Sequence, residues 1–181
     1  MAFRMTRLVS TVSRHGVAAF MFVCCGLPAN ATATGLFDGM EGPWKGDGSI
    51  AWTTGETERM RCNAKYKVER EGNRITQNLT CATDSTRLVV KSTITFNPDA
   101  GAITGQWSET TYGVNGYVTG TASTGAVNAH VESTDHRFKA TVTVKTISVT
   151  EQSVTIAPKG LDVTNVEVDL KRGNTAMSDN E

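Results

Sequence analysis

Apolar and polar residues alternate one by one along most of this 181-residue chain. Met60, Cys62, Ala64, Tyr66 and Val68 are separated by Arg61, Asn63, Lys65 and Lys67. Successive side chains of a strand point to opposite faces, so this segment has one apolar and one charged face. The next segment mirrors it, with Ile75, Leu79 and Cys81 on one face and Gln77 as the exception. Glu71-Gly72 reads as a tight hairpin turn between the two. Folding about that turn sets Cys62 opposite Cys81, Ala64 opposite Leu79 and Val68 opposite Ile75. The register that buries both apolar faces therefore also joins the cysteines. A slip of one residue would put them on different faces.

The pattern recurs to the end of the chain. Leu88, Val90, Ile94 and Phe96 share a face, and Asn97-Pro98-Asp99-Ala100-Gly101 is a turn. Ile103, Gly105 and Trp107 come next, then Val114, Gly116, Val118, Gly120 and Ala122, then Val127, Ala129 and Val131. Phe138, Ala140, Val142 and Val144 follow, then Val154 and Ile156, then Val166, Val168 and Leu170. No segment alternates at helical spacing. From residue 34 onward there are 24 threonines, and branching at Cβ favours the strand. Short strands with turns roughly every 8–12 residues predict an all-β fold. We expect an antiparallel up-and-down β-barrel of about 8–10 strands, with a β-sandwich as the alternative. Short hairpin connections favour the barrel, and closure removes exposed edges.

The first 33 residues read as a secretory signal peptide. Arg4, Arg7 and Arg14 precede an apolar run, Gly16 to Leu27, too short to span a bilayer. Ala29-Asn30-Ala31 and Ala31-Thr32-Ala33 are small-x-small cleavage sites, so processing is expected after Ala31 or Ala33. The expected organisation is a signal over 1–33, a linker over 34–41, a barrel over 42–172 and a disordered tail over 173–181. Removing 1–33 takes three arginines and no acid, leaving 15 basic against 18 acidic residues. A mildly acidic domain offers no electrostatic footprint for nucleic acid. Cys24 and Cys25 leave with the signal, and the remaining pair in an oxidising compartment predicts one disulfide, Cys62–Cys81. The localisation expected is periplasmic or secreted. Beyond residue 33 no apolar run is long enough to be a transmembrane helix. Nine aromatics are too few for the girdles of a membrane barrel.

Gly42-Pro43-Trp44-Lys45-Gly46-Asp47-Gly48 opens the first strand. This G-x-W start resembles that of lipocalins and related calycin barrels. The resemblance implies that Trp44 packs at one barrel end under a basic side chain of the last strand. Arg172 shares the parity of Val168 and Leu170 and matches that role as a cation–π cover. A second set of motifs covers more of the chain: Gly42 to Gly48, Glu58 to Cys62, Cys81 to Ser85, and Ile103 to Glu109. These are similar to small exported proteins of alphaproteobacteria with no assigned activity, so they imply no function.

Catalysis is not expected. Past the signal only His130 and His136 remain, and neither sits on an inner face. A metal site would join them with Glu132 or Asp135. Exposed histidines beside a loop are the simpler reading, and no cofactor or metal is expected. Glu58, Arg59, Arg61, Asp84 and Arg87 gather near the disulfide as a solvated outer face or an ion-binding patch. Inside, Gly46, Gly48, Gly105, Gly116, Gly120, Ala122 and Ala129 leave space for a ligand or make room for large neighbours. Pairing Ile94 with Gly105 and Ser92 with Trp107 is of the second kind. Trp52, Tyr66, Phe96, Trp107 and Phe138 are the candidate ligand lining. The expected function is an exported, non-enzymatic binding protein holding a small apolar molecule. The alternative is an envelope protein-interaction module or enzyme inhibitor with a filled core.

Overall fold

The computed structural model describes residues 35–173. The expected signal and all of the expected tail after Gly173 lie outside the described residues. Ten strands follow one another. They are β1 (Gly42–Trp52), β2 (Thr57–Glu69), β3 (Arg74–Ala82), β4 (Arg87–Asn97) and β5 (Ala102–Glu109). Then come β6 (Val114–Ser123), β7 (Ala126–Ser133), β8 (Lys139–Ser148), β9 (Glu151–Lys159) and β10 (Val163–Arg172). Each pairs antiparallel with the next, and β10 pairs with β1, so the sheet is a closed up-and-down barrel.

The period-two pattern sets this register. Cys62 faces Cys81, Ala64 faces Leu79 and Val68 faces Ile75. The hairpin closes with a bond from Asn73 N to Arg70 O, and Glu71 and Gly72 both have positive φ. Arg70 has positive φ as well, so the turn spans residues 70–73 beyond the last strand pair, Glu69–Arg74. The disulfide Cys62–Cys81 forms with its Cα atoms 4.1 Å apart, and both cysteines are buried in the core. The turn at Asn97 is held by its own side chain, which accepts from the N–H of Asp99 and Ala100. Ile94 faces Gly105 and Ser92 faces Trp107, as the volumes required.

The seam between first and last strands depends on glycine. A Cβ on Gly48 would run into the carbonyl oxygen of Glu167 on β10, and one on Gly46 into that of Asp169. These glycines let β1 lie against β10 more closely than any side chain permits. Gly105, Gly116 and Gly120 meet carbonyls of neighbouring strands in the same way, so close strand approach is a third role beside the two expected from composition.

Hairpins alternate between the two ends of the barrel, and the ends differ. Residues 35–41, expected as a linker, plug one end. Phe37 is buried with Trp44 and Tyr66, and Leu36 packs against both core clusters. Phe37 N donates to Gly72 O at the β2–β3 turn, and Trp44 Nε1 donates to Met40 O at 2.8 Å. Arg172 stands opposite Trp44 in the register. Its guanidinium donates to Gly39 O at 2.7 Å and Glu41 O at 2.5 Å. Arg172 thus ties the last strand to the plug through backbone carbonyls, where the resemblance implied a cover on the indole.

Two outcomes test this frame. Replacing both Cys62 and Cys81 by Ala should lower stability by about 2–4 kcal/mol, because the bridge closes a loop of moderate length in the unfolded chain. Urea denaturation with and without reductant measures it, and the double variant should be insensitive to reductant. Gly48→Ala should destabilise by about 1–3 kcal/mol through overpacking against β10. Ser49→Ala, its neighbour on the outer face, should stay within about 0.5 kcal/mol in the same titration.

Candidate functional site

One rung of inward side chains differs from its neighbours. Along the register, Tyr66 faces Gln77, Gln77 faces Ser92 and Ser92 faces Trp107. The rung continues through Gly116 to Ser133. It therefore carries polar groups on successive strands through an otherwise apolar barrel. On one side lies the rung Val68, Ile75, Ile94, Gly105, Val118 and Val131. On the other, Ala64, Leu79 and Val90 lead to Glu109.

The polar groups satisfy one another in a definite direction. Ser92 Oγ donates to Gln77 Oε1 at 2.9 Å, and Gln77 Nε2 donates to the Tyr66 hydroxyl at 3.4 Å. This accounts for Gln77, the polar residue in an apolar series. Burial pushes the Tyr66 phenol up to about 12, more than the Gln77 bond draws it back, so it stays protonated at neutral pH. Trp107 ends the chain differently. Its Nε1 is buried and has no hydrogen-bond acceptor. Leaving such a donor unpaired costs about 1–3 kcal/mol. The indole packs edge-to-face on Phe138, with centroids 5.6 Å apart. The strands between them offer only Gly116 and Ser133 on this rung, which leaves the two rings room to meet.

The other expected lining residues are placed as follows. Tyr66 packs edge-to-face on Trp44 beside the plug, centroids 5.8 Å apart. Phe96 packs against both core clusters and so borders both halves of the interior. Trp52 sits at the unplugged end of β1. Its Nε1 is also buried without an acceptor in hydrogen-bond range. The interior walls are unequal. Met60, Cys62, Ala64 and Tyr66 on β2 are buried, whereas Val142, Val144, Val154, Ile156 and Val166 on β8–β10 are half-buried. Alternation turns these valines inward, and Val142, Val154 and Val166 pack against the core clusters.

Glu109 escaped the sequence reading, although its parity with Ile103 and Trp107 marked a charge on an inner face. It is buried at the unplugged end. Its carboxylate accepts from the N–H of Val89 at 3.0 Å, Thr111 at 2.8 Å and Tyr112 at 2.7 Å. Burial pushes this carboxyl up, but the backbone donors outweigh burial and hold it below the usual range. The plug residues Leu36 and Phe37 were also missed, since they precede the alternating pattern.

The histidine cluster lies on the outer wall. His130 is exposed, and His136 Nδ1 is 2.6 Å from Glu132 Oε1, which also takes Lys139 at 3.0 Å. Bonds from His136 and then Lys139 hold Glu132 below its ordinary value. Asp135 accepts from Ser133 Oγ and from Arg137, and is held down to about 2. No group of three or more metal-ligating side chains gathers among the described residues. A depression of about 560 Å³ here, and one of about 510 Å³ beside it, open on the outer face around Tyr117. Near the disulfide, Glu58 is held by Ser85 Oγ, 2.8 Å from both carboxylate oxygens.

No family model matches the sequence, and no curated protein matches it. Among solved structures the chain is similar to the S-type phycobiliprotein lyase CPES from Guillardia theta. The TM-score is 0.60 at 10% identity, over 77% of this chain and 91% of the lyase. A designed fluorescence-activating β-barrel matches at TM-score 0.40 and 11% identity, over 74% of this chain and 93% of the design. At such identities the likeness to the lyase shows the barrel fold.

Glu109 generates a pH prediction. Its folded-state value is lowered, so its contribution is present above the unfolded carboxylate range and is lost as pH falls through the folded value. Glu109→Gln should therefore lose more stability at pH 7 than at pH 3 relative to wild type. Urea midpoints at the two pH values measure this; an equal loss at both would show that the carboxylate charge is immaterial.

Proposed function

We propose that this is an exported, non-enzymatic, calycin-like barrel protein that holds one small, mostly apolar molecule in its lumen. The molecule lies between Trp107, Phe138 and Phe96 on one side and the valine wall of β8–β10 on the other, and enters from the end opposite the plug. The observation that carries this reading is the Trp107 indole N–H, shut away from water and from every protein acceptor. An unpaired buried donor is rare in a finished core and is expected where a ligand completes the site. The half-buried inward valines support the same place. Because Nε1 is covered, the indole must turn against Phe138 for a ligand to reach it.

Binding is favoured over chemistry because the inward carboxylates are already committed. Glu109 holds three backbone N–H groups, and Glu58 holds Ser85. The competing reading is an envelope protein-interaction module, whose support is the exposed Tyr112 and Leu161 at the unplugged rim.

Screening apolar dyes and lipid extracts by native mass spectrometry and tryptophan quenching tests the proposal. One ligand per chain is expected, with quenching that falls several-fold in Trp107→Ala while Tyr117→Ala, on the outer wall, binds as wild type. A protein that retains nothing, but captures an envelope protein through Tyr112 and Leu161, would replace this reading with the competing one.

A further inference from the structure

On the reading that the lumen takes a small molecule, we infer that its ligand carries an uncharged oxygen acceptor, as in a ketone, ester or amide, and not a free carboxylate. The inference rests on which hydrogen-bonding groups the lumen leaves unmatched and on where its charges lie.

The unmatched groups are donors. Trp107 Nε1 has no acceptor, and indole nitrogen can only donate. The chain from Ser92 through Gln77 to Tyr66 passes donors in one direction. It ends on a phenol that receives a hydrogen bond, and no acceptor for its own proton occurs among the described hydrogen bonds. The Trp107 and Tyr66 donors lie on one rung, separated by Gln77 and Ser92, and Trp52 Nε1 is a further unmatched donor at the unplugged end of β1. A wholly apolar ligand would leave them unpaired, whereas a carbonyl oxygen would satisfy at least one. Matching a buried donor in this way discriminates strongly against the analogue that lacks the oxygen.

The charges exclude an anion. The ionisable residues at inward positions of the ten strands are Glu58, Tyr66, Glu109 and Arg172. Arg172 is the one cation, and its guanidinium is bound to the carbonyls of Gly39 and Glu41 at the plugged end. Glu58 and Glu109 are themselves carboxylates at the unplugged end. A ligand carboxylate would lie unpaired in an apolar lumen beneath two like charges, which is strongly unfavourable.

Three probes of one chain length separate the possibilities: 2-undecanone, undecane and undecanoate, titrated at pH 8 against tryptophan fluorescence with native mass spectrometry as the second readout. The ketone should bind roughly tenfold more tightly than undecane, the scale of one well-made neutral hydrogen bond. Undecanoate should bind no better than undecane. Trp107→Phe should erase the preference for the ketone over undecane, and its urea midpoint, read separately, shows that the variant folds. Undecanoate binding as tightly as the ketone, or a ketone no better than undecane, would overturn the inference while leaving an apolar lumen site in place. Failure of all three probes to bind would instead remove the reading on which it rests.

Discussion

Closure of β10 onto β1 is the constraint on which the rest of the barrel depends. Nine successive residue pairs join them from Trp44–Arg172 to Trp52–Val163, with one irregularity at Ala51/Trp52. Without that seam the meander would present two exposed edges and no interior. At the seam Gly46 and Gly48 carry no Cβ where the β10 carbonyls approach, as Gly105, Gly116 and Gly120 carry none against their own neighbours. The seam also brings Arg172 beside the plug, so the last strand of the domain secures the segment before the first. Closure and capping of one end are thus a single construction.

That construction makes the two ends unequal, and the inequality gives the interior a direction. Phe37, Trp44, Tyr66 and the disulfide fill the plugged half with buried side chains. The second cluster, Ile103, Val118 and Ala129, is smaller, and the inward valines of β8–β10 named above are half-buried where the core side chains of the plugged half are buried. The polar rung crosses from one half to the other, beginning at Tyr66 and reaching Trp107. Polar groups inside an apolar barrel are tolerated when mutually bonded, as Ser92, Gln77 and Tyr66 are. Trp107 departs from that rule, since its Nε1 is buried without an acceptor, as is that of Trp52.

Most of the fold was legible because strand alternation is a local property of the chain. The parity of Cys62 and Cys81 was enough to place the hairpin register, and the contrast of Trp107 with Ser92 predicted a pairing that the sheet contains. The candidate site was legible in part. Trp107 and Phe138 were picked as inward aromatics, but their contact depends on Gly116 and Ser133 lying between them, which requires the full register. The plug was illegible, since Leu36 and Phe37 belong to no periodic run and their burial is decided by the open end they meet. Arg172 has the parity expected of it, yet its partners are the carbonyls of Gly39 and Glu41, and no pattern of side chains encodes backbone carbonyls. Glu109 shows the converse: an inward charge was visible, but its three N–H partners come from the flanking loop and strand.

The central claim is that the lumen between Phe96 and the valine wall can admit a small apolar guest. A crystal of the protein pressurised with xenon tests it most directly, because xenon enters apolar cavities without needing polar contacts. The account predicts anomalous density inside the barrel in contact with Phe96, Val142 and Ile156. Xenon confined to the outer depressions around Tyr117, with the lumen closed by side chains, would contradict it.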